Sequence, residues 1–407
     1  MKKRILIVMH YLEIGGAETA LIGLLQAMDY TKYDVDLFLH AHRGEMMQFI
    51  PKEVNLLPEI PLYAQIERPM KSVLLDGYFR MVVARIKAKI KTRLYRRKRN
   101  VKESAAGMQY TADAVTPMLP PINPDVEYDL AISFLQPHNI ICDKVRAKKK
   151  ICWIHTDYSV VDVNVELELP VWSAFDHVIS ISDDVTKTFL QIFPLLENKI
   201  VLMENILSPE FVRRRASELD VSSEMSPNNQ TINLLSIGRY CYQKNLENVP
   251  DICKIVNSRL LTYNSRLSVR WYIMGYGGDE TLIRQKIAEA GMEDYVIILG
   301  KKTNPYPYIK TCDIYVQPSR YEGKSVTVRE AQMLCKPVVV TNYPTASSQI
   351  KDGVDGKIVP MDNEGCAKGL AEFIQNTDLQ AQITEYLRTH DYGNMDEVDK
   401  LYKIIEN

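Results

Sequence analysis

No stretch of this 407-residue chain approaches the roughly 20 consecutive apolar residues that a membrane-spanning helix requires. The first apolar run, residues 5–9, follows basic residues as an export signal would. It is too short for one and leads directly to a glycine pair, so it reads as a buried first strand. Cysteine is sparse: seven residues, an odd number, with no close pairs. That spacing suits neither a disulfide framework nor a structural zinc site, and it implies buried thiols in a reducing compartment. Acids do not cluster as a metal cage would need. The GxGxxG fingerprint is missing, which speaks against a two-domain dehydrogenase. Charge is balanced, with a formal net charge of −1, so no polyanion-binding role follows from the chain as a whole.

What is present is an α/β rhythm stated twice. Short apolar runs suited to parallel strands fall at 4–9, 33–40, 53–59, 128–135, 149–155, 177–182 and 199–205. A second series opens at 231–238 and continues at 268–275, 295–300, 312–319 and 336–342, with helical patterning between them. Length alone favours two domains. The expected boundaries are 1–205 and 206–385, with a terminal helix at 386–407 packing back on the first domain. Residues 213–231, polar and rich in Ser and Asn, read as an excursion near the boundary.

Three strand–glycine turns can carry chemistry. In "IGGAET", Gly15 and Gly16 open a helix, where backbone N–H groups can approach an anion; a plain tight turn accounts for them equally well. "SIGRYCYQKN" sends Arg239 and Lys244 out of a strand end. A planar fork of donors beside a point charge suits a diphosphate, although two solvated charges have the same sequence. "IMGYGGDE" reads as structural.

The stretch "YEGKSVTVRE" then sets Glu322 on a loop and Glu330 in the first turns of a helix that Ser325 or Thr327 could cap. Two carboxylates can accept hydrogen bonds from vicinal hydroxyls while helix-start N–H groups hold phosphate oxygens. The bland alternative makes Glu330 a capping-box acid and Glu322 a surface acid. His155, where a strand emerges, can hydrogen-bond a hydroxyl or developing charge; His138 is a weaker candidate of the same kind.

Together these pieces resemble the GT-B retaining glycosyltransferases of family 4, the glycosyl transferases group 1, of the bacterial surface-polysaccharide type. The resemblance spans nearly the whole chain and is most specific in its second half. It implies two Rossmann-like α/β domains facing each other across a cleft. By resemblance, Glu322 lies by the donor sugar and Glu330 binds the ribose hydroxyls. Arg239 and Lys244 sit on the donor diphosphate, together with the loop Gly323, Lys324, Ser325 and Val326. Gly15 and Gly16 lie near phosphates and acceptor, and His155 near the transferred sugar. Lys324 and Ser325 depart from the small residues usual in that loop, and Asn205 is followed by Ile206 where the family often has an Asn-Gly turn.

The implied activity is transfer of a hexose or N-acetylhexosamine from a UDP-sugar to a lipid-linked or oligosaccharide acceptor in capsule, exopolysaccharide or related glycan synthesis. No cofactor or metal is expected. The alternative is a non-catalytic nucleotide- or carbohydrate-binding protein of the same fold.

One segment interrupts the rhythm. Residues 80–102 hold eleven Lys or Arg and no acid. Val82, Val83, Ile86 and Ile90 are expected on one helical face, giving a cationic amphipathic helix within a basic insert, 78–102, able to lie on an anionic membrane. A nucleic-acid arm or a solvated helix shares the charge signature, but few aromatics support the former, and no nucleic-acid partner is expected. The expected location is cytoplasmic, peripheral on the inner face of the membrane.

Overall fold

The computed structural model describes residues 2–101, 104–156, 158, 161–226, 228, 230–262 and 267–406. The chain forms two compact units, 1–207 with 394–407, and 208–393.

The first unit is built on a parallel sheet of β1 (Lys3–Met9), β2 (Tyr33–Leu39), β3 (Asn55–Leu56), β4 (Tyr128–Ser133), β5 (Ala147–Ile154), β6 (His177–Ser180) and β7 (Ile200–Leu202), in the order β3-β2-β1-β4-β5-β6-β7. Ile5, Leu6 and Ile7 on the central β1 are wholly buried. Covering both faces of the sheet is what makes the run continuous in sequence rather than alternating. The chain returns to this unit at its end. The helix Val398–Glu406 brings Tyr402 to stack on Tyr33 at 4.6 Å and to accept the Asp29 backbone N–H at 2.6 Å. Lys149 donates to the Ile404 carbonyl at 2.7 Å.

The second unit repeats the plan with β8 (Thr231–Ile237), β9 (Ser268–Met274), β10 (Val296–Gly300), β11 (Ile314–Gln317), β12 (Val338–Thr341) and β13 (Lys357–Val359), in the order β10-β9-β8-β11-β12-β13. The sequence pattern misses β13, whose three residues carry too little apolar periodicity. Strand order reverses between β1 and β4 in one unit and between β8 and β11 in the other. In open α/β sheets, the carboxyl ends of strands at such a reversal leave a crevice for ligands.

Residues 213–226, just past the unit boundary at 207–208, are mostly exposed but held by a few buried anchors. Arg215 is buried and paired with Glu218 at 2.7 Å, and Val221 and Met225 are buried too. Glu224 accepts from Tyr308 Oη at 2.6 Å. The polar letters concealed a few buried anchors spaced by turns.

The basic helix spans Phe79–Arg99, with Lys102 outside the described residues. It does not carry its four apolar residues on one face. Val82 is buried with Met81 and Ala88, whereas Val83, Ile86 and Ile90 are exposed with Phe79 and Leu94. A second apolar face, with Met81 and Val82, turns into the core of the first unit. The exposed stripe at 79, 83, 86, 90 and 94 follows the three- and four-residue steps of one helix face.

Candidate active site

In the second unit, the loops leaving β8 and β11 lie side by side at the strand-order reversal and are sewn together. Asn245, in the left-handed region at φ 57°, donates from Nδ2 to the Pro318 carbonyl at 3.0 Å. The Arg320 N–H donates to the Gln243 carbonyl at 2.8 Å, and Gln243 Nε2 to that of Tyr321 at 3.1 Å. The glycine turn after β9 braces the β8 loop: Tyr240 N–H donates to the Tyr276 carbonyl at 2.8 Å. Gly275, at φ 145°, lies so close that a Cβ would stand 1.9 Å from the Gly238 oxygen. Only glycine permits that approach, so this turn has the structural role its sequence suggested.

Among the sewn loops, Lys244 Nζ donates to Glu322 Oε1 at 2.6 Å, and both side chains are largely buried. Ser319 Oγ donates to the same oxygen at 2.5 Å and Gln317 Nε2 at 3.0 Å. Glu322 is therefore not a surface acid but the centre of a donor cluster. Its loop is fixed from behind: Thr345 Oγ1 donates to its carbonyl at 2.8 Å, and the Gln349 amide bonds both the N–H and the carbonyl of Ser325.

An ammonium has three donors, so the bond to Glu322 leaves Lys244 capacity for an anion. Arg239 is exposed and, among the described residues, makes no side-chain hydrogen bond or ion pair. Gly323 and Lys324 are partly exposed in the loop, and Val326 begins the helix Val326–Met333. Ser325 is its N-cap residue but makes no side-chain capping bond.

Glu330 is not a capping acid either. It is buried and accepts from Tyr306 Oη at 2.8 Å. Burial pushes its carboxyl up to about 7, with the tyrosine bond opposing the rise. A buried carboxylate with one hydrogen-bond donor has lone pairs left over, which hydroxyls of a ligand could fill. Tyr306, Ser319 and Gln317 escaped the residue-by-residue reading, because their roles depend on neighbours distant in sequence.

In the first unit, Gly15 and Gly16 follow β1 and begin the helix Gly16–Ala27. A Cβ on Gly16 would meet nothing within 4 Å, so its backbone faces open space. The Glu18 carboxylate lies over Gly15 and 3.9 Å from His10 Nε2. His155 follows β5 at the same carboxyl edge, two strands along the sheet order from β1. Its Nε2 is shut from solvent without a partner, and burial pushes the ring down to about 4, so it is a neutral imidazole at pH 7. His138 is a core residue: Nδ1 pairs with Ser133 Oγ at 2.7 Å and the ring packs on Trp172 at 4.5 Å. Asn205 gives its carbonyl to Asn394 Nδ2 at 3.0 Å while its side-chain oxygen is buried unpaired.

All seven cysteines are free thiols. No described helix is long and apolar enough to cross a membrane.

Two units, wound around sheets of order 3-2-1-4-5-6-7 and 3-2-1-4-5-6, define a GT-B fold. Over 99% of both chains the structure superposes on HepE of Anabaena, crystallised with UDP and glucose, with a TM-score of 0.67 at 15% identity. Residues 222–390, most of the second unit, match the family model of the glycosyl transferases group 1. The matched stretch holds the Glu322–Lys244 cluster. Among curated proteins, the chain is 30% identical over 86 residues to the lipopolysaccharide core biosynthesis mannosyltransferase LpsB of Rhizobium meliloti. It is 26% identical over 160 residues to an N-acetylgalactosaminyltransferase of Campylobacter jejuni whose name specifies a diphospho-undecaprenol-linked glycan. These matches take in 21% and 38% of this chain, and the chain spans only 24% and 41% of those relatives' lengths.

Proposed function

We propose that this chain is a retaining glycosyltransferase that moves a hexose or N-acetylhexosamine from a UDP-sugar to a lipid-linked glycan in bacterial surface-glycan synthesis. The observation that carries this reading is the pair of sewn loops at the β8/β11 reversal. They gather Lys244, Glu322 and the start of the Glu330 helix within the stretch that matches the family model. The Campylobacter relative's name supports a lipid diphosphate acceptor.

In this reading Glu330 and Tyr306 take the ribose hydroxyls. Arg239, Lys244 and the N–H groups at the start of the helix Val326–Met333 stabilise negative charge growing on the leaving diphosphate. Cations do the work a metal would otherwise do. Glu322 orients the donor sugar and sets the direction of the Lys244 ammonium. The bond from the anomeric carbon to the phosphate oxygen breaks, and the acceptor oxygen bonds to that carbon from the same face. The acceptor's proton passes to a donor phosphate oxygen and leaves with UDP. Gly15, Gly16 and the neutral His155 are the substrate-facing groups assigned to the first unit. Residues 78–102 serve as the contact with an anionic membrane, through the exposed stripe of the basic helix.

The test is a thermal-shift panel with UDP, GDP, ADP and their sugars, followed by two variants. UDP compounds should raise the melting temperature, since a ligand stabilises the state that binds it. Glu330→Ala should weaken UDP binding, while Glu322→Ala should keep it and lose turnover. Equal behaviour of the two variants would refute the division of labour, and no response to any nucleotide would refute the enzyme.

A further inference from the structure

Beside the basic helix runs a groove of about 1090 Å³, closed on its other side by the helix Ala106–Val115. Its walls combine two chemistries. Ile66, Ile90 and Met108 supply apolar surface, and Lys89, Arg93, Arg96 and Arg97 supply cations. Among the described residues none of those four makes a side-chain hydrogen bond or ion pair.

The inner end of the groove reaches Gln136 and Pro137, the residues that follow β4 at the strand-order reversal of the first unit. Glu67, the one acid of the lining, sits at that end beside Tyr11 and His10, which follow β1. Arg85 is already committed there, donating to the carbonyls of Gln65 and Arg68 at 3.0 and 2.6 Å. The opposite flank of the helix also has lysines, Lys87 and Lys91, and lines a smaller hollow of about 550 Å³ that includes Asp113. Arg80 joins those lysines against Phe79, Val83 and Met118, so both flanks mix cations with apolar wall; the first flank has about twice the volume and four arginines and lysines without a side-chain partner among the described residues.

We infer that this groove binds the lipid anchor of the acceptor, a single hydrocarbon chain bearing a phosphate or diphosphate. The chain lies against Ile66, Ile90 and Met108, the phosphate takes the guanidinium groups, and the glycan end leads toward the strand ends at Gln136–Pro137. Arginine forks suit phosphate oxygens better than they suit a diffuse anionic surface. This assignment rests on the lipid-linked acceptor reading above and makes it specific: the protein holds one lipid phosphate in a built groove, separately from any attraction of the outer stripe to a membrane.

The test is a titration of the full chain with geranylgeranyl monophosphate by isothermal calorimetry at saturating UDP, which keeps the probe out of the nucleotide site. Arg93→Glu/Arg97→Glu and Met108→Asp should each weaken binding about tenfold or more, equivalent to about 1.4 kcal/mol. Lys87→Glu/Lys91→Glu, the same charge change on the other flank, should weaken it less than about twofold. Equal losses on both flanks would mean diffuse attraction to the helix and would overturn the groove. So would no binding by the unsubstituted chain, equal binding of inorganic phosphate, or equal displacement by short-chain phosphatidylglycerol. Each variant should keep its thermal response to UDP. An absent UDP response in the unsubstituted chain would instead count against the glycosyltransferase reading.

Discussion

Glu322 and Glu330 stand eight positions apart and meet opposite environments. Glu322 gathers donors from Lys244, Ser319 and Gln317, whereas Glu330 is buried with the Tyr306 hydroxyl. For Glu330 the folded pKa, about 7, lies above the ordinary carboxyl value, so the folded state holds a proton the unfolded chain has released between those two values. Its contribution to stability is present at low pH and lost as pH rises through 7. Glu330→Gln should therefore gain stability relative to the parent as pH goes from 5 to 8, read by urea unfolding at each pH; a pH-independent difference would contradict the buried carboxyl. The Lys244–Glu322 pair makes a second prediction. Lys244→Met leaves a carboxylate buried beside an apolar chain and should cost about 3 kcal/mol, and adding Glu322→Gln should recover part of it. Arg239→Ala, at an exposed residue, should change stability by less than about 0.5 kcal/mol while weakening UDP-sugar binding.

At the scale of elements, the basic helix shows how far periodicity reads. Its existence and charge were legible, because eleven cations and interleaved apolar residues over one segment have few other folds. Which apolar residues face the protein was not. Val82 and Val83 are adjacent letters, and only packing into the core of the first unit decides that the first is buried and the second exposed. Val82→Asn should cost about 2–3 kcal/mol, whereas Val83→Asn should stay within about 0.5 kcal/mol. Val83→Asn/Leu94→Asn should also abolish flotation with anionic liposomes without lowering the melting temperature. The turn after β9 behaves differently, since its glycines announce themselves. Gly275→Ala should destabilise by about 2–3 kcal/mol, because its Cβ would strike the Gly238 carbonyl. An unchanged urea midpoint would show that the two turns do not brace one another.

For the molecule, the chain passes from the first unit to the second at 207–208 and returns at 393–394. The last helix completes the first unit's packing, with Leu401 fully buried and Tyr402 seated on Tyr33. Truncation after residue 397 should lower the calorimetric transition of the first unit and speed proteolysis around Tyr33; an unaltered scan would mean the helix adds nothing to that unit's stability.

The sequence by itself determined the twofold α/β repeat, the glycine turns and the positions of the charged residues. Strand burial on two faces and the φ > 0 turns are local constraints that leave local marks. Tertiary structure alone decided that Lys244 meets Glu322 across 78 positions, and that Tyr306 rather than a helix cap holds Glu330. It also decided that the polar stretch 213–231 buries Arg215 and Met225. A hydrogen bond between distant residues is fixed by how strands are ordered in a sheet, and single-residue chemistry carries no record of that order.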